Sequence, residues 1–198
     1  MERRGGAELH PVLRSRTMSS SFPRALDAPA GELVILSRSL VESVTEASRA
    51  SPRQRIILPF HKRESELLHR MLNIIQPDSY VRPHRHLEPP KTEAWVVLRG
   101  AVAFFTFEDE GGVRDCLLLE AGGEHFGVDL APGLFHGLVA LAPDTVLYEV
   151  KDGPYAPASD KAFASWAPAE GTPEAAGYLR HLREEYRRRY GPGLSMCR

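Results

Sequence analysis

Residues 78–100 read DSYVRPHRHLEPPKTEAWVVLRG, with His84 and His86 two apart and Glu93 following after six residues. On a strand, residues two apart project to the same face, so both imidazoles can be offered to one ion. Neutral imidazole suits zinc, copper, iron and nickel, and a carboxylate beside it extends the range to manganese. Glu93 opens the apolar run 94–98 and would supply that carboxylate, while His136, following Pro132-Gly133, would complete the set. The pair alone carries little weight in a chain with eight histidines; the order of the four donors carries the reading.

Around this stretch, residues 56–150 alternate short runs rich in Val, Leu, Phe and Thr with Gly, Pro and Asp punctuation about every ten residues. That pattern predicts an all-β sandwich or barrel. Strands are expected over 70–75, 80–86, 93–99, 102–108, 114–119, 125–130, 138–141 and 145–151. Before them, a short strand is expected over 33–36. Ser37 then caps a helix with Leu40, Val41, Val44 and Ala47 on one face, which Pro52 ends. After Gly153 a Pro-rich connector leads to Thr172-Pro173 and a helix to about Tyr190, with Leu179, Leu182, Tyr186 and Tyr190 along one stripe and Gly191 as its stop. The expected organisation is a disordered N-terminal extension over 1–30, a barrel domain with an N-terminal helix over 31–170, and a C-terminal helix and tail over 171–198. The extension mixes Arg, Ser, Pro and Gly with no hydrophobic period, reads as a solvated tail ahead of a basic arm, and contains Met18 as an alternative start.

The spacing resembles the two sequence motifs of the cupin superfamily. The first runs Gly, five residues, His-X-His, three or four residues, Glu, six residues, Gly. Here Asp78, His84-Arg85-His86, Glu93 and Gly100 stand in that order, with a longer gap before Glu93 and Glu88 as the nearby substitute. The second ends Pro-X-Gly-X-X-His, with Asn four residues on. Pro132-Gly133-Leu134-Phe135-His136 stands in its place, with Pro and Gly adjacent and Ala140 at the Asn position. More narrowly, residues 79–100, 135–143 and 146–168 are similar to the WbuC-type cupin-fold metalloproteins. The similarity includes Glu149-Val150-Lys151-Asp152-Gly153-Pro154-Tyr155 and Asp160-Lys161. The resemblance implies a mainly β fold, a jelly-roll or double-stranded β-helix barrel. It also implies one divalent metal (Fe, Mn, Ni or Zn) on His84, His86, Glu93 and His136, a homodimer, and a link to bacterial surface-polysaccharide biosynthesis.

Strand parity would point Tyr80 and Arg82 into the same barrel mouth as His84 and His86, with Arg82 either binding a substrate anion or forming a rim salt bridge. Asn73 interrupts an apolar run and would either line the pocket or bond to backbone. Glu149 would orient a liganding imidazole or face solvent, and His61 reads as structural. Trp95, Phe104, Phe105 and Phe107 read as core packing.

The chain has 198 residues, room for one ordinary domain, and its net charge of -1 gives no overall field for nucleic acid or an anionic membrane. The arginines of the C-terminal helix therefore read as a solvated face. No run approaches the roughly 20 apolar residues of a membrane span. Two cysteines, and no continuous apolar segment near the N-terminus, fit a cytoplasmic protein without a secretory signal. Three histidines and one glutamate leave two positions open on an octahedral ion, a site competent for Lewis-acid or oxygen chemistry. The expectation is a metal enzyme acting on a small polar or anionic metabolite, sugar-linked if the resemblance holds. The alternative is a non-catalytic module in which the metal anchors a ligand or braces the barrel.

Overall fold

A computed structural model of the chain describes residues 22–191. The N-terminal helix α1 (Arg38–Ala50) begins where expected, with the Ser37 hydroxyl accepting from the Leu40 amide at 3.2 Å. Leu40, Val41, Val44 and Ala47 then pack on Ile56, Leu58, Leu72, Ile74 and Val146. The strand expected over 33–36 does not form, and Leu33 (80%) and Ile35 (71%) stand exposed. Apolar residues make a strand only with a partner to pair with. The partner of Ile57 is Ala25, which bridges it in parallel while Leu26 joins the cluster under α1. Within the expected extension, Ala25 and Leu26 therefore contact the barrel, whereas residues 1–21 and 192–198 fall outside the described residues.

Ten strands follow: β1 (Arg55–Pro59), β2 (Leu68–Ile75), β3 (His84–Arg85), β4 (Glu93–Arg99), β5 (Ala101–Phe107), β6 (Val113–Glu120), β7 (Gly127–Leu130), β8 (Phe135–Ala140), β9 (Thr145–Asp152) and β10 (Ala162–Phe163). They form two five-stranded sheets, β1-β2-β9-β4-β7 and β10-β3-β8-β5-β6, in which the paired strands are antiparallel. The two facing sheets make a double-stranded β-helix barrel, the fold that the cupin resemblance implies. Pleat alternation sorts the side chains. Trp95, Val97, Val102, Phe104, Leu138 and Leu147 meet between the sheets. Ala103, Phe105 and Phe107 face outward under helix α2 (Pro173–Tyr190), which buries Ala175, Leu179, Leu182 and Tyr186 against them. Pro173 opens α2, and Gly191, at φ 76°, ends it in a conformation that favours glycine.

Two departures from expectation shape the barrel mouth. The strand expected over 80–86 is reduced to His84–Arg85, because Pro83 has no N–H for the ladder. The Pro-rich connector after Gly153 folds back as a strap. Its β10 pairs with β3, and the Ala164 amide donates to the Pro83 carbonyl at 3.0 Å.

Candidate metal centre

Three strands deliver the four donors. His84 heads β3, His136 lies opposite it on β8, and Glu93 opens β4 with its side chain turned inward, on the same face as Trp95 and Val97. His86 follows β3 with the same parity as His84. One ligand atom from each of the four residues lies within 4.8 Å of the others. All four residues are buried, at 1–3% exposure. The extra residues between His86 and Glu93 loop outward, closed by a Leu87–Pro90 bridge. The longer spacing therefore leaves Glu93 in place, and Glu88 is exposed on that loop.

Each imidazole is oriented through its far nitrogen. His84 Nδ1 lies 3.0 Å from the Arg82 carbonyl and His136 Nδ1 lies 2.9 Å from that of Leu134, while His86 Nδ1 bonds the carbonyl of Asp160. A carbonyl can only accept, so Nδ1 carries a proton and Nε2 is the ring atom turned toward the cluster, the one that ligates in the neutral ring. The three Nε2 atoms and Glu93 Oε2 are all buried without a hydrogen-bond partner. Burying a polar atom without a partner costs about 1–3 kcal/mol, and four such atoms meeting at one place are what a cation would relieve. His86 Nε2 and His136 Nε2 stand 3.1 and 3.3 Å from Glu93 Oε2. Burial, then the charge of Lys161, holds the His84 pKa well below its usual value, so its imidazole is neutral. Burial alone would raise the Glu93 carboxyl, but the adjacent His136 and His86 rings and the charge of Lys151 hold it well below the usual range, as an anion. Three imidazoles presenting Nε2 and one carboxylate fit a divalent transition metal.

The floor is apolar. Trp95 and Phe104 lie under His136, with ring centroids 5.5 and 6.5 Å from it, and the Trp95 indole donates to Glu93 Oε1 at 2.7 Å. Trp95 is therefore core packing, as expected, and also fixes the carboxylate.

Sequence reasoning missed a second, polar group inside the barrel. Continuing the inward parity of Thr145 and Leu147 along β9 points Glu149 and Lys151 inward, opposite Trp95 and Glu93. Asp160 accepts from Lys91 Nζ at 2.8 Å and from Lys151 Nζ at 3.0 Å, and all three residues are buried. Glu149 accepts from Asn73 Nδ2 at 2.6 Å and lies 3.8 Å from Lys151 Nζ. Burial, then the charge of Glu93, pushes its pKa up to about 8. Glu149 thus faces the interior, held by Asn73 and beside Lys151. The period-two alternation from Leu147 was the available signal.

The other expected site residues divide. Asn73 lines the interior, held to Glu149. Arg82 sits beside the mouth but is engaged: Nη2 donates to the Ala164 carbonyl at 2.7 Å, and the guanidinium lies 5.3 Å from the Phe163 ring centroid. Tyr80 is not in the pocket. Its hydroxyl donates to the Pro168 carbonyl at 2.9 Å and its ring packs with the cluster under α2. The parity count fails there because the segment before Pro83 is not strand. Arg85 turns outward over Phe135 and onto Asp109. His61 stacks on His69 with centroids 3.9 Å apart and is not among the four clustered donors. A surface hollow of about 520 Å³ beside Trp166 and Tyr178 lies on the α2 side, away from the four donors.

Residues 36–119 match a family described as a domain of unknown function (DUF6016). No curated protein matches the chain. Among solved structures, an uncharacterized conserved protein with a double-stranded β-helix domain from Klebsiella pneumoniae is 18% identical, with a TM-score of 0.49 over 68% of this chain and 99% of that one. The capsular polysaccharide assembling protein CapF from Staphylococcus aureus is 17% identical with a TM-score of 0.45. That match covers 54% of this chain and spans only 29% of CapF. L-ribose isomerase from Cellulomonas parahominis is 19% identical with a TM-score of 0.46, over 64% of this chain and 72% of that one.

Proposed function

We propose that this chain is a WbuC-type cupin that binds one divalent metal (Fe, Mn, Ni or Zn) through His84, His86, Glu93 and His136. On this reading it is a cytoplasmic enzyme of surface-polysaccharide biosynthesis that acts on a small polar or anionic, sugar-linked metabolite. The observation that carries the metal reading is the convergence of four buried, partnerless donor atoms, each imidazole fixed in its liganding tautomer from behind. Bound there, a divalent ion would supply Lewis-acid or oxygen chemistry at positions the protein leaves open. The chain's own part is to hold the donors rigid, exclude water beneath them with Trp95 and Phe104, and cover the mouth with the strap. Cys116 is a buried free thiol, in keeping with a reducing compartment.

A homodimer is part of the same reading. On the outer face of β4, Val96 (38%) and Leu98 (46%) are exposed. Half-buried Tyr148 and Val150 pair beside Val96 and Ala94.

Elemental analysis of protein purified without added metal should find one transition metal per chain. His136→Ala should weaken metal binding by more than the 10- to 100-fold typical of outer-sphere changes. Full occupancy and affinity in that variant would overturn the ligand assignment. Turnover of a metabolite mixture by the metal-loaded parent, absent from His84→Ala, separates an enzyme from a binding module.

A further inference from the structure

The strap across the barrel mouth brings in Lys161, a cation with no hydrogen-bonded or salt-bridged partner among the described residues. In the β10–β3 pair, Ala162 lies opposite Arg85 and Phe163 opposite His84. Continuing that register by one residue sets Lys161 opposite His86. Opposed residues on an antiparallel pair share a face. Phe163 already obeys this rule, with its ring 6.0 Å from that of His84, so Lys161 belongs on the side of the inward-facing His86. Lys161 as a whole residue is exposed. Its ammonium is nevertheless desolvated enough to lower its pKa, an effect that Lys151 adds to and Glu93, Glu149 and Asp160 oppose.

Among the described residues, no carboxylate lies within 4.0 Å of the Lys161 nitrogen, whereas Lys91 and Lys151 both rest on Asp160. The other cations near the mouth are committed: Arg82 to the Ala164 carbonyl, Arg85 to Asp109 on the outer face. The charges around the centre do not close either. With Glu149 counted as ionised, Glu93, Glu149 and Asp160 balance Lys91, Lys151 and Lys161, so a divalent ion leaves an excess of two positive charges. Fixed positive charge in a low-dielectric pocket selects an anion.

We propose that Lys161 is the specificity residue of the centre, pairing with the negative charge of a small carboxylate that also reaches the metal. This rests on the metal reading above. The tight enclosure by residues that are 1–3% exposed favours a compact acid with a hydroxyl or carbonyl next to its carboxylate, so that both oxygens lie side by side. Arg82, the anion-binding residue expected from the sequence, is replaced in that role by Lys161.

The test uses full-length protein loaded with cobalt(II), whose visible spectrum reports changes at the metal, titrated with glycolate, with 1,2-ethanediol as the neutral counterpart, and with inorganic phosphate. Glycolate should shift the spectrum saturably, and more tightly than the diol or phosphate. Lys161→Met should weaken glycolate about 10- to 100-fold with cobalt content and starting spectrum unchanged. Lys161→Arg should recover most of the loss, and Arg82→Ala should change affinity less than about threefold. Unchanged glycolate affinity in Lys161→Met, or a Lys161-dependent response to phosphate in preference to glycolate, overturns the assignment. Stoichiometric cobalt with no response to glycolate also overturns it and leaves the metal reading standing. Failure to bind cobalt overturns the metal reading itself.

Discussion

Replacing Asp160 by Ala tests whether the strap is held by charge. Its carboxylate is 3% exposed and is the shared acceptor for Lys91 Nζ (2.8 Å) and Lys151 Nζ (3.0 Å), whose side chains are 1% and 6% exposed. Burial alone would raise the Asp160 pKa, but Lys151 and Lys91 hold it below its usual value, so the carboxylate is charged at neutral pH. Its loss strands two buried ammonium groups, although Lys151 retains Glu149 at 3.8 Å. Breaking one buried pair by removing a partner costs about 3–5 kcal/mol. At about 2–4 °C per kcal/mol for a chain of this size, the melting temperature should fall by roughly 6–20 °C. Urea unfolding of metal-free parent, Asp160→Ala, Lys91→Met and the double variant would measure the coupling. The double variant should be less destabilised than the sum of the singles by about 1–3 kcal/mol, because removing Lys91 removes one of the stranded charges. If Asp160→Ala does not fold, Asp160→Asn serves in its place. A loss below about 1 kcal/mol, or strict additivity, would refute the argument.

Two further predictions concern the outside of the barrel. Arg55, 9% exposed, donates to Ser79 Oγ and the Tyr80 carbonyl and pairs with Glu170. Burial would raise the Glu170 pKa, but Arg55 and Arg53 bring it below the ordinary value. A carboxylate lowered in the folded state contributes stability above its unfolded pKa of about 4.3 and loses it as pH falls through the folded value. With Glu170 about a third exposed, Glu170→Gln should cost about 1–2 kcal/mol at pH 7, and the gap to the parent should close between about pH 5 and pH 3; a gap constant with pH would refute the pairing. The parent should sediment as a dimer at micromolar concentration, and Val96→Asp with Leu98→Asp should give a folded monomer. A monomeric parent would remove the dimer from the functional reading.

The four donors were legible in the sequence because they obey short rules. His84 and His86 share a face by strand parity, and Glu93 and His136 fall in a known order behind them. The helices were legible too: Ser37 caps α1, Thr172-Pro173 opens α2, and each apolar face recurs at helical spacing. What the sequence did not disclose depends on contacts remote along the chain. The Lys91–Asp160 pair spans 69 residues and leaves no local period. β10 is two residues long, too short to register as an alternating run, so the strap read as a linker and Lys161, although part of the family resemblance, was given no place in the site. Tyr80 was misplaced because parity was counted through Pro83, where the strand had not begun. Leu33 and Ile35 looked like a strand because propensity is visible in sequence and a missing partner is not.

The inward charges bear on what a metal at this centre would do. An ion that served only to brace the barrel would need its charge closed by the protein, since uncompensated charge in a dry interior is costly. Here Glu93 is the one carboxylate among the four clustered donors. Asp160 is divided between Lys91 and Lys151, and Glu149 is held towards neutrality, with a pKa of about 8. Lys161 adds a positive charge at the mouth where a brace would need a negative one. The geometry prepares the donors for a metal, and the surrounding charges leave room for an anion beside it. That combination suits a centre that takes up a small acid better than one that only holds two sheets together.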